Sequence, residues 1–370
     1  MEKNQPQKIK LAFVLCSLAY GGAERLVLDL IKNLNPRLFE IHLLTVKGGG
    51  GLWTEFKKTG INICLYNKKT KLGLLTLWRL KKYFQKNRIQ IVHTHLFAGD
   101  TWGRLAAKWA GAPIIISTEH NINLDEGPAK KIIKRILSRF TNQIIAVSQA
   151  VKNYQTLKEK IPSQKIIVIY NGLDLNRFPF NYRPLRQAAT LGIIGRLEPQ
   201  KGHAPALLAF KEVLKKYPQT KLLIIGQGSL KPKLVKLGQK LHIADSLSWQ
   251  SPRENVNDFL KQINILLAPS LWEGFGIVAI EALAAGVPVI ASQVDGLKEI
   301  ITDGENGFLA PVNNPGGLAQ KIIEVMENSD KLEGVSLKGR KKVINLFTIQ
   351  QMAERYQKIY LKSYENIANQ

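Results

Sequence analysis

Short runs of consecutive apolar and β-branched residues recur along this chain, and longer amphipathic runs separate most of them. The apolar runs include KLAFVLC (10–16), EIHLLTV (40–46), IQIVHTH (89–95), PIIIST (113–118), ATLGIIG (189–195), KLLIIG (221–226), NILLAPS (264–270) and VPVIAS (287–292). Strands that are apolar without alternation are buried on both faces, as in parallel sheets covered by crossover helices. The pattern therefore predicts an α/β protein built on doubly wound parallel sheets.

The series of strands is interrupted at NGLDLNRFPFNYRPLRQ (171–187), which has no periodic apolar pattern and contains two prolines and several turn-forming residues. A chain of 370 residues is also long for a single core. We therefore predict two Rossmann-like domains that face each other across a cleft, at residues 1–176 and 177–348. The amphipathic helix at about 349–370 is expected to pack back onto the first domain.

Two apolar segments resemble targeting or membrane sequences. Residues 8–23 (KIKLAFVLCSLAYGGA) are similar to a short signal peptide, but a helical pattern follows directly, which favours a first parallel strand. Residues 274–294 are long enough to span a bilayer, yet Glu281 and Pro288 favour a buried helix, a turn and a strand. The two cysteines, Cys16 and Cys64, cannot build a disulfide framework, so we expect a cytoplasmic protein without a structural metal.

The chain is strongly basic, with 53 Lys and Arg against 28 Asp and Glu, a formal net charge of +25. Residues 1–176 hold 28 basic and 11 acidic residues, so the first half carries most of the surplus. Such a surplus indicates a polyanionic partner or a solvated basic surface. A nucleic-acid-binding protein would carry a recognition module, and none is recognisable, so no nucleic acid is expected as a partner.

The most specific motif is PSLWEGFGIVAIEALAAGVPVIAS (269–292), in which a loop after a strand leads into a helix. Gly274 precedes that helix, and a helix N-terminus offers free N–H groups to an anion. The N–H groups of Phe275, Gly276 and Ile277 are therefore candidate phosphate ligands.

Two carboxylates flank this helix start in otherwise apolar surroundings. An ionised carboxylate is costly there unless something pairs with it, so Glu273 and Glu281 are predicted to accept hydrogen bonds from ligand hydroxyls. Glu273 beside the helix N-terminus suits a sugar. Glu281, about one turn deeper, suits a vicinal diol such as a ribose.

The loop GIIGRLEPQKG (192–202) places two cations just after a predicted strand. Gly195 allows close approach of the backbone, and Arg196 and Lys201 suit a diphosphate. An ordinary basic loop is the alternative.

Two further loops are candidates for contact with the nucleotide. In LLIIGQGSL (222–230), Gly226 and Gly228 make half of a dinucleotide fingerprint, for which a tight turn is the alternative. An intact G-x-G-x-x-G is missing, which argues against a Rossmann oxidoreductase. The loop at 249–256 contributes Arg253 as a candidate wall beside the base.

Four motifs in order along the chain resemble the retaining glycosyltransferases of family 4 (group 1), which have the GT-B fold. They are YGGAER (20–25), VIYNGLDLNRF (168–178), GRLEPQKGH (195–203) and EGFG with the spacing E-x7-E (273–281). The resemblance implies transfer of a hexose from a UDP- or GDP-sugar to a glycan or lipid-linked acceptor, in the synthesis of cell-surface polysaccharide or glycolipid. It implies no cofactor and no metal, and the sequence contains no D-x-D.

The resemblance also implies roles for residues at matching positions. The expected catalytic residues are His120, Arg196, Lys201 and Glu273. Arg196 and Lys201 would neutralise the diphosphate, Glu273 would orient the donor sugar, and Glu281 would bind the ribose. Gly21 and Gly22 would let the first loop approach the phosphates and the acceptor. A structural role is the alternative for His120, whereas His93 and His95 are interpreted as wall or core residues.

Two basic amphipathic segments, 68–88 and 129–140, have the composition of interfacial helices. Because the resemblance places the acceptor in the first domain, they predict peripheral attachment to the anionic inner face of the cell membrane. The alternative is that their apolar faces pack on the sheet. A non-catalytic sugar-binding protein is a further alternative, but it would be expected to lose Arg196, Lys201 or the two glutamates.

Overall fold

The computed structural model describes residues 8–67, 73–185, 188–251 and 255–368. It divides into two compact units, Met1–Gly172 with Ile349–Gln370 (unit 1) and Leu173–Thr348 (unit 2). Each unit holds one parallel sheet with helices between its strands. The prediction of two doubly wound, Rossmann-like α/β units is therefore confirmed.

Unit 1 contains a sheet of seven parallel strands in the order β3-β2-β1-β4-β5-β6-β7. The strands are β1 Ile9–Leu15, β2 Phe39–Thr45, β3 Asn62–Leu65, β4 Ile91–His95, β5 Ile114–Glu119, β6 Gln143–Ala146 and β7 Ile166–Val168. Its helices between strands are α1 Gly22–Asn33, α2 Trp53–Lys57, α3 Leu74–Asn87, α4 Phe97–Ala110, α5 Pro128–Ser138 and α6 Gln149–Leu157.

Strand β1 shows why the apolar runs are continuous. Its side chains alternate between the two faces of the sheet. Leu11 and Phe13 lie in one buried cluster, whereas Ala12 and Val14 lie in another with Leu80 of α3. Since both faces are covered, both sets of side chains are apolar.

Unit 2 repeats the same winding with six parallel strands in the order β10-β9-β8-β11-β12-β13. The strands are β8 Thr190–Ile194, β9 Lys221–Ile225, β10 Leu247–Gln250, β11 Ile265–Ala268, β12 Val289–Ser292 and β13 Phe308–Ala310. The helices are α7 His203–Lys216, α8 Lys231–Lys240, α9 Asn257–Leu260, α10 Ile277–Ala285, α11 Asp295–Lys298, α12 Pro315–Glu327 and α13 Leu332–Leu346. The sequence did not predict β13, because three residues hold too little pattern.

The two segments that resembled targeting or membrane sequences are ordinary parts of the fold. The first contains β1, and the second contains α10, a left-handed turn at Gly286 (φ 83°) and β12. Across the described residues, we find no helix with the length and apolarity needed to cross a bilayer.

The chain enters unit 2 after residue 172 and is fixed there at once. Phe178 is buried, and its carbonyl accepts a hydrogen bond from Arg340 Nη1 at 2.7 Å. The same nitrogen donates to the carbonyl of Ala284 at 2.6 Å. The chain then returns to unit 1 as α14 (Ile349–Ala368), which buries Tyr356 and Tyr360 in the core that contains β1.

In both sheets the strand order reverses beside the first strand, between β1 and β4 in unit 1 and between β8 and β11 in unit 2. Ligands of open α/β sheets bind at the carboxyl ends of the strands at such a switch point. The loops that follow these four strands carry most of the residues singled out in the sequence.

Candidate active site

In unit 2, the loops after β8 and β11 meet through a predicted cation and a predicted carboxylate. Lys201 Nζ lies 2.5 Å from Glu273 Oε2. The Ser270 hydroxyl donates to the same oxygen at 3.0 Å. Glu273 is only 9% exposed. The ammonium group of Lys201 balances the charge of its carboxylate locally. The two side chains are 72 residues apart in sequence and form one polar group.

Gln200 ties the rest of the basic loop to the same place. Its side-chain oxygen accepts from Arg196 Nη2 at 3.0 Å, and its side-chain nitrogen donates to the carbonyl of Trp272 at 3.1 Å. Its own carbonyl accepts from the N–H of Leu271 at 2.8 Å. Neither Gln200 nor the role of Ser270 was predicted from the sequence. Each is a polar residue inside one of the two motifs, which was the available signal, and both are buried in the structure.

Gly202 allows these two loops to touch. Its φ is +62°, and a Cβ there would lie 1.9 Å from the carbonyl oxygen of Pro269. Only glycine accepts both the left-handed conformation and this contact. The position of Lys201 beside Glu273 therefore depends on having glycine at position 202.

Helix α10 begins at Ile277, immediately after the loop that carries Glu273. Gly276 precedes it with φ +102°. The Phe275 side chain is buried and packs edge-to-face on Phe347, with ring centroids 5.4 Å apart, so its backbone is the part open to a ligand role. Glu281 lies one turn into α10 and is largely buried. The Gly274 carbonyl packs closely on Gly296, where a Cβ would lie 2.8 Å from its oxygen.

The glycines after β9 pack against the basic loop. A Cβ on Gly226 would lie 1.9 Å from the carbonyl oxygen of Gly195, and one on Gly228 would lie 2.4 Å from that of Leu197. Both glycines therefore permit backbone contact between loops, which fits the tight-turn alternative. A Cβ on Gly195 would meet Lys201 at an ordinary 3.5 Å. Arg253 lies outside the described residues.

A side-chain contact holds the same two loops together from the outside. Glu198 accepts hydrogen bonds from both the N–H and the hydroxyl of Ser229, each at 2.9 Å. These bonds lower the pKa of Glu198. The contact between Glu198 and Ser229 was not predicted from the sequence.

In unit 1, His120 follows β5 and is hydrogen-bonded to His95 at the end of β4. His95 Nδ1 and His120 Nε2 are 2.9 Å apart. Burial lowers the pKa of His120 to about 4, against a smaller opposing effect of Asp100, and it lowers the pKa of His95 as well. Both rings are therefore neutral near pH 7. Within the described part of the chain, neither His95 Nε2 nor His120 Nδ1 has a hydrogen-bond partner.

His93 shares a face with His95, as the alternation predicted, but its polar atoms are used in the core. Its Nδ1 lies 2.7 Å from the hydroxyl of Tyr360 and its Nε2 lies 2.8 Å from that of Thr118. Glu119 is turned to other partners: it forms an ion pair with Lys134 of α5 at 2.8 Å.

The first loop ends at Gly21, in extended conformation, and α1 begins at Gly22. A Cβ on Gly21 would lie 2.3 Å from Glu24 Oε2, so the carboxylate of Glu24 folds back over this glycine. Burial raises the pKa of Glu24. A ligand that approaches Gly21 therefore meets this carboxylate as well as backbone.

Two family models match the chain in succession. The model for Glycosyltransferase Family 4 matches residues 20–177, and the model for Glycosyl transferases group 1 matches residues 177–342.

Similar proteins of known name match over most of the chain. The UDP-Gal:alpha-D-GlcNAc-diphosphoundecaprenol alpha-1,3-galactosyltransferase of Escherichia coli is 26% identical over 98% of this chain and 100% of its own length. The phosphatidyl-myo-inositol mannosyltransferase of Mycobacterium tuberculosis is 30% identical over 70% of each. The crystal structure of Anabaena HepE in complex with UDP and glucose superposes with a TM-score of 0.85 at 20% identity, over 96% of this chain and 100% of that one.

Proposed function

Because the chain belongs to the group 1 (family 4) glycosyltransferases, which have the GT-B fold, we propose that it transfers a hexose from a UDP-sugar to a lipid-linked glycan acceptor with retention of configuration. UDP is favoured over GDP because the relative from Escherichia coli is a UDP-Gal-dependent enzyme and the HepE structure contains UDP. The lipid-linked acceptor is favoured by the same relative, whose name specifies a diphosphoundecaprenol substrate.

The observation that carries the donor assignment is the meeting of Arg196, Lys201, Glu273 and the start of α10 at the switch point of unit 2. Two cations and a helix N-terminus suit a diphosphate, and a carboxylate beside them suits sugar hydroxyls. Glu281, one turn deeper on α10, would accept the ribose hydroxyls. This polar group sits at the carboxyl ends of β8 and β11, where such sheets bind ligands.

In the reaction we propose, the bond between the sugar C1 and the β-phosphate oxygen breaks, and its electron pair stays with the phosphate. The acceptor hydroxyl forms the new bond to C1 from the same face. Its proton moves to the departing phosphate, so the products are a nucleoside diphosphate and a glycoside. Arg196 and Lys201 would stabilise the charge that develops on the phosphate, in place of a divalent metal.

A screen of nucleotides tests the donor assignment. A ligand that binds the folded protein raises the melting temperature according to RT ln(1+[L]/Kd). We expect UDP and one UDP-hexose to stabilise the protein, and EDTA to leave both binding and transfer unchanged. Arg196→Met should abolish the stabilisation, whereas Lys240→Met at the exposed end of α8 should keep it. A protein that no nucleoside diphosphate stabilises would not have this site.

We further propose that unit 1 attaches to an anionic membrane through α5 and the start of α3. On α5, Ile132, Ile133 and Ile136 are 58%, 37% and 49% exposed, whereas Lys134 is buried among carboxylates. These three isoleucines therefore do not pack on the sheet, which was the alternative interpretation, whereas Leu137 of the same helix is buried. Basic residues surround them, a combination that suits an anionic bilayer surface.

Helix α3 divides its apolar residues between core and surface. Leu80 and Phe84 are buried, but Leu74, Leu75 and Trp78 near its beginning are exposed. Lys82 Nζ lies 3.8 Å from the centre of the Trp78 ring. Residues 68–72 of the predicted basic segment lie outside the described residues.

Flotation with vesicles tests this attachment. We expect salt-sensitive binding to vesicles with anionic lipid and little binding to phosphatidylcholine alone. Replacing Ile132, Ile133 and Ile136 together by serine should reduce binding at least tenfold. Leu208→Ser, a change at an exposed leucine of unit 2, is the matched control and should not affect binding. Equal flotation of the triple variant and the control would contradict the proposal.

A further inference from the structure

His95 is a fully buried residue whose ring lies between a core histidine and His120. We propose that His95 is a positioning residue for His120: it holds Nε2 of His120 in a buried hydrogen bond and so leaves Nδ1, which is buried and has no partner among the described residues, as the ring nitrogen that bonds a sugar hydroxyl. The inference rests on the proposed function and on the role that the family resemblance implies for His120, a contact to the sugar or the acceptor.

A neutral imidazole has one N–H donor and one acceptor nitrogen. The bond between His95 Nδ1 and His120 Nε2, 2.9 Å long, therefore links the tautomers of the two rings. If His95 donates, the proton of His120 is on Nδ1, which then donates to a ligand. If His120 donates, its Nδ1 is an acceptor. The kind of hydrogen bond that His120 Nδ1 offers therefore depends on the tautomer of His95.

The ring of His95 is held firmly enough to serve this role. Its centroid lies 4.1 Å from that of His93 and 5.9 Å from that of Phe13, on which it stacks. His93 cannot compete for the bond, because Tyr360 and Thr118 occupy both of its nitrogens.

The backbone next to His95 is also constrained. Leu96 adopts φ +59° and ψ 148°, a region that residues other than glycine rarely occupy. Such conformations persist where the surrounding structure determines them fully, and they cluster at functional sites. Here the unusual residue turns the chain from β4 into α4 directly beside the histidine pair.

The charged and titratable groups around the pair come from several elements. They are His93 on β4, Glu119 on β5 with its partner Lys134 on α5, Asp100 with its partner Arg104 on α4, and Tyr356 and Tyr360 on α14. Asp100 acts on His120, but its carboxylate is already bound by Arg104 and by the hydroxyl of Thr94. The direct bond to His120 comes from His95.

Nitrogen NMR of the histidine side chains tests the bond without any substrate. The chain has six histidines, which single variants can assign. In the wild type we expect one fixed tautomer for His120 and coupling across the bond to His95. In His95→Leu the tautomers of His120 should mix. His95→Asn, which keeps a polar atom near the position of Nδ1, should restore one tautomer. A wild-type His120 with averaged tautomers would overturn the proposal, even if no variant folds.

Kinetics test the functional consequence. We expect His95→Leu to lower kcat by about 10- to 100-fold, as a misplaced reactive group does, with the Kd for UDP unchanged. His95→Asn should recover part of kcat. The matched control is His42→Gln, a buried histidine on β2 that is bonded to Tyr83 and not to the pair, which should lower the melting temperature but leave kcat and the tautomer of His120 unchanged.

A double variant separates positioning from a general structural role. If His95 acts through His120, His95→Leu adds little once His120→Leu is present, because coupled residues are not additive. Full, independent losses from both changes would overturn the inference. A wild-type protein that transfers no hexose from any nucleotide sugar would instead contradict the proposed function, and the NMR result would still decide whether the bond exists.

Discussion

The ion pair between Lys201 and Glu273 predicts that removing the carboxylate makes nucleotide binding tighter. In the structure, Glu273 is paired with the ammonium group of Lys201, the positive charge that the proposed diphosphate would bind. In Glu273→Gln the side chain keeps its shape and its bond to Ser270, but Lys201 is left without its partner. A diphosphate should therefore bind more strongly, although transfer should fall because the sugar loses its acceptor group.

The size of the effect follows from the exposure of the pair. Two unit charges about 4 Å apart interact by about 4 kcal/mol at an effective dielectric constant of about 20. The side chains of Lys201 and Glu273 are 21% and 11% exposed, so water weakens the pair. Exposed pairs are worth about 1 kcal/mol or less, which places this one at about 1–2 kcal/mol. Each 1.4 kcal/mol is about tenfold in Kd, so we expect UDP to bind about 5- to 30-fold more tightly.

Calorimetric titration of UDP measures this change, with Lys201→Met and the double variant completing a cycle. Lys201→Met should weaken UDP at least tenfold, and adding Glu273→Gln to it should bring no gain. Ser270→Ala is the control, because it removes only a neutral bond to the same oxygen and should change Kd less than threefold. Weaker or unchanged UDP binding in Glu273→Gln would refute the reasoning.

Three further outcomes are expected from single substitutions. Gly202→Ala should lower the melting temperature and weaken UDP binding, because its Cβ would lie 1.9 Å from the carbonyl oxygen of Pro269. Gly334→Ala, at an exposed position of α13 with open space around it, should instead stabilise the protein by about 0.5–1 kcal/mol. A Gly202→Ala variant that melts like the wild type with and without UDP would contradict this. Burial lowers the pKa of His203 to about 4, so the protein loses stability as the pH falls from about 6.5 towards 4. His203→Leu should therefore raise the free energy of unfolding by about 2 kcal/mol more at pH 5 than at pH 7. An effect of His203→Leu that does not depend on pH is the contrary result. Burial raises the pKa of Glu24, so the charged form of this side chain costs stability at neutral pH. Glu24→Gln should therefore have a higher melting temperature than the wild type at pH 7 and the same melting temperature at pH 4. A lower melting temperature at pH 7 would show that the carboxylate has a stabilising partner.

Most of the fold could be predicted because burial on both faces leaves a direct trace in the sequence. Strands such as β1 and β12 are apolar at every position that faces a helix layer, and the intervening helices show one apolar side. Strand β13 left no such trace, because Phe308–Ala310 is too short to show a period. The two family models meet at residue 177.

Each candidate site residue stood out in the sequence, but the contacts between these residues did not. Lys201 and Glu273 each stood out in a motif, yet their contact depends on two loops that only Gly202 lets touch. Likewise, alternation put His93 and His95 on one face, but the bond from His95 to His120 requires β4 and β5 to be neighbours. Strand order is a property of the whole sheet, and no local pattern encodes it.

The exposure of α5 is a third case that sequence could not decide. A basic amphipathic helix can pack its apolar side on a sheet or leave it in water, and the composition is the same for both. Burial of Lys134 settles the orientation, because three carboxylates from β5 and two loops surround it. Those partners come from three different segments of the chain, and their meeting at Lys134 is seen only in the folded structure.

The last helix has a consequence for the order in which the protein is made. Unit 2 is one continuous stretch of chain, whereas unit 1 needs α14, which the ribosome delivers after all of unit 2. The N-terminal unit therefore cannot finish folding first, although that is the usual order during synthesis. Until α14 arrives, β1 lacks the cover of Tyr356 and Tyr360, and His93 lacks the tyrosine hydroxyl that binds it. The nascent protein should thus complete its second unit while the first still waits for its final helix.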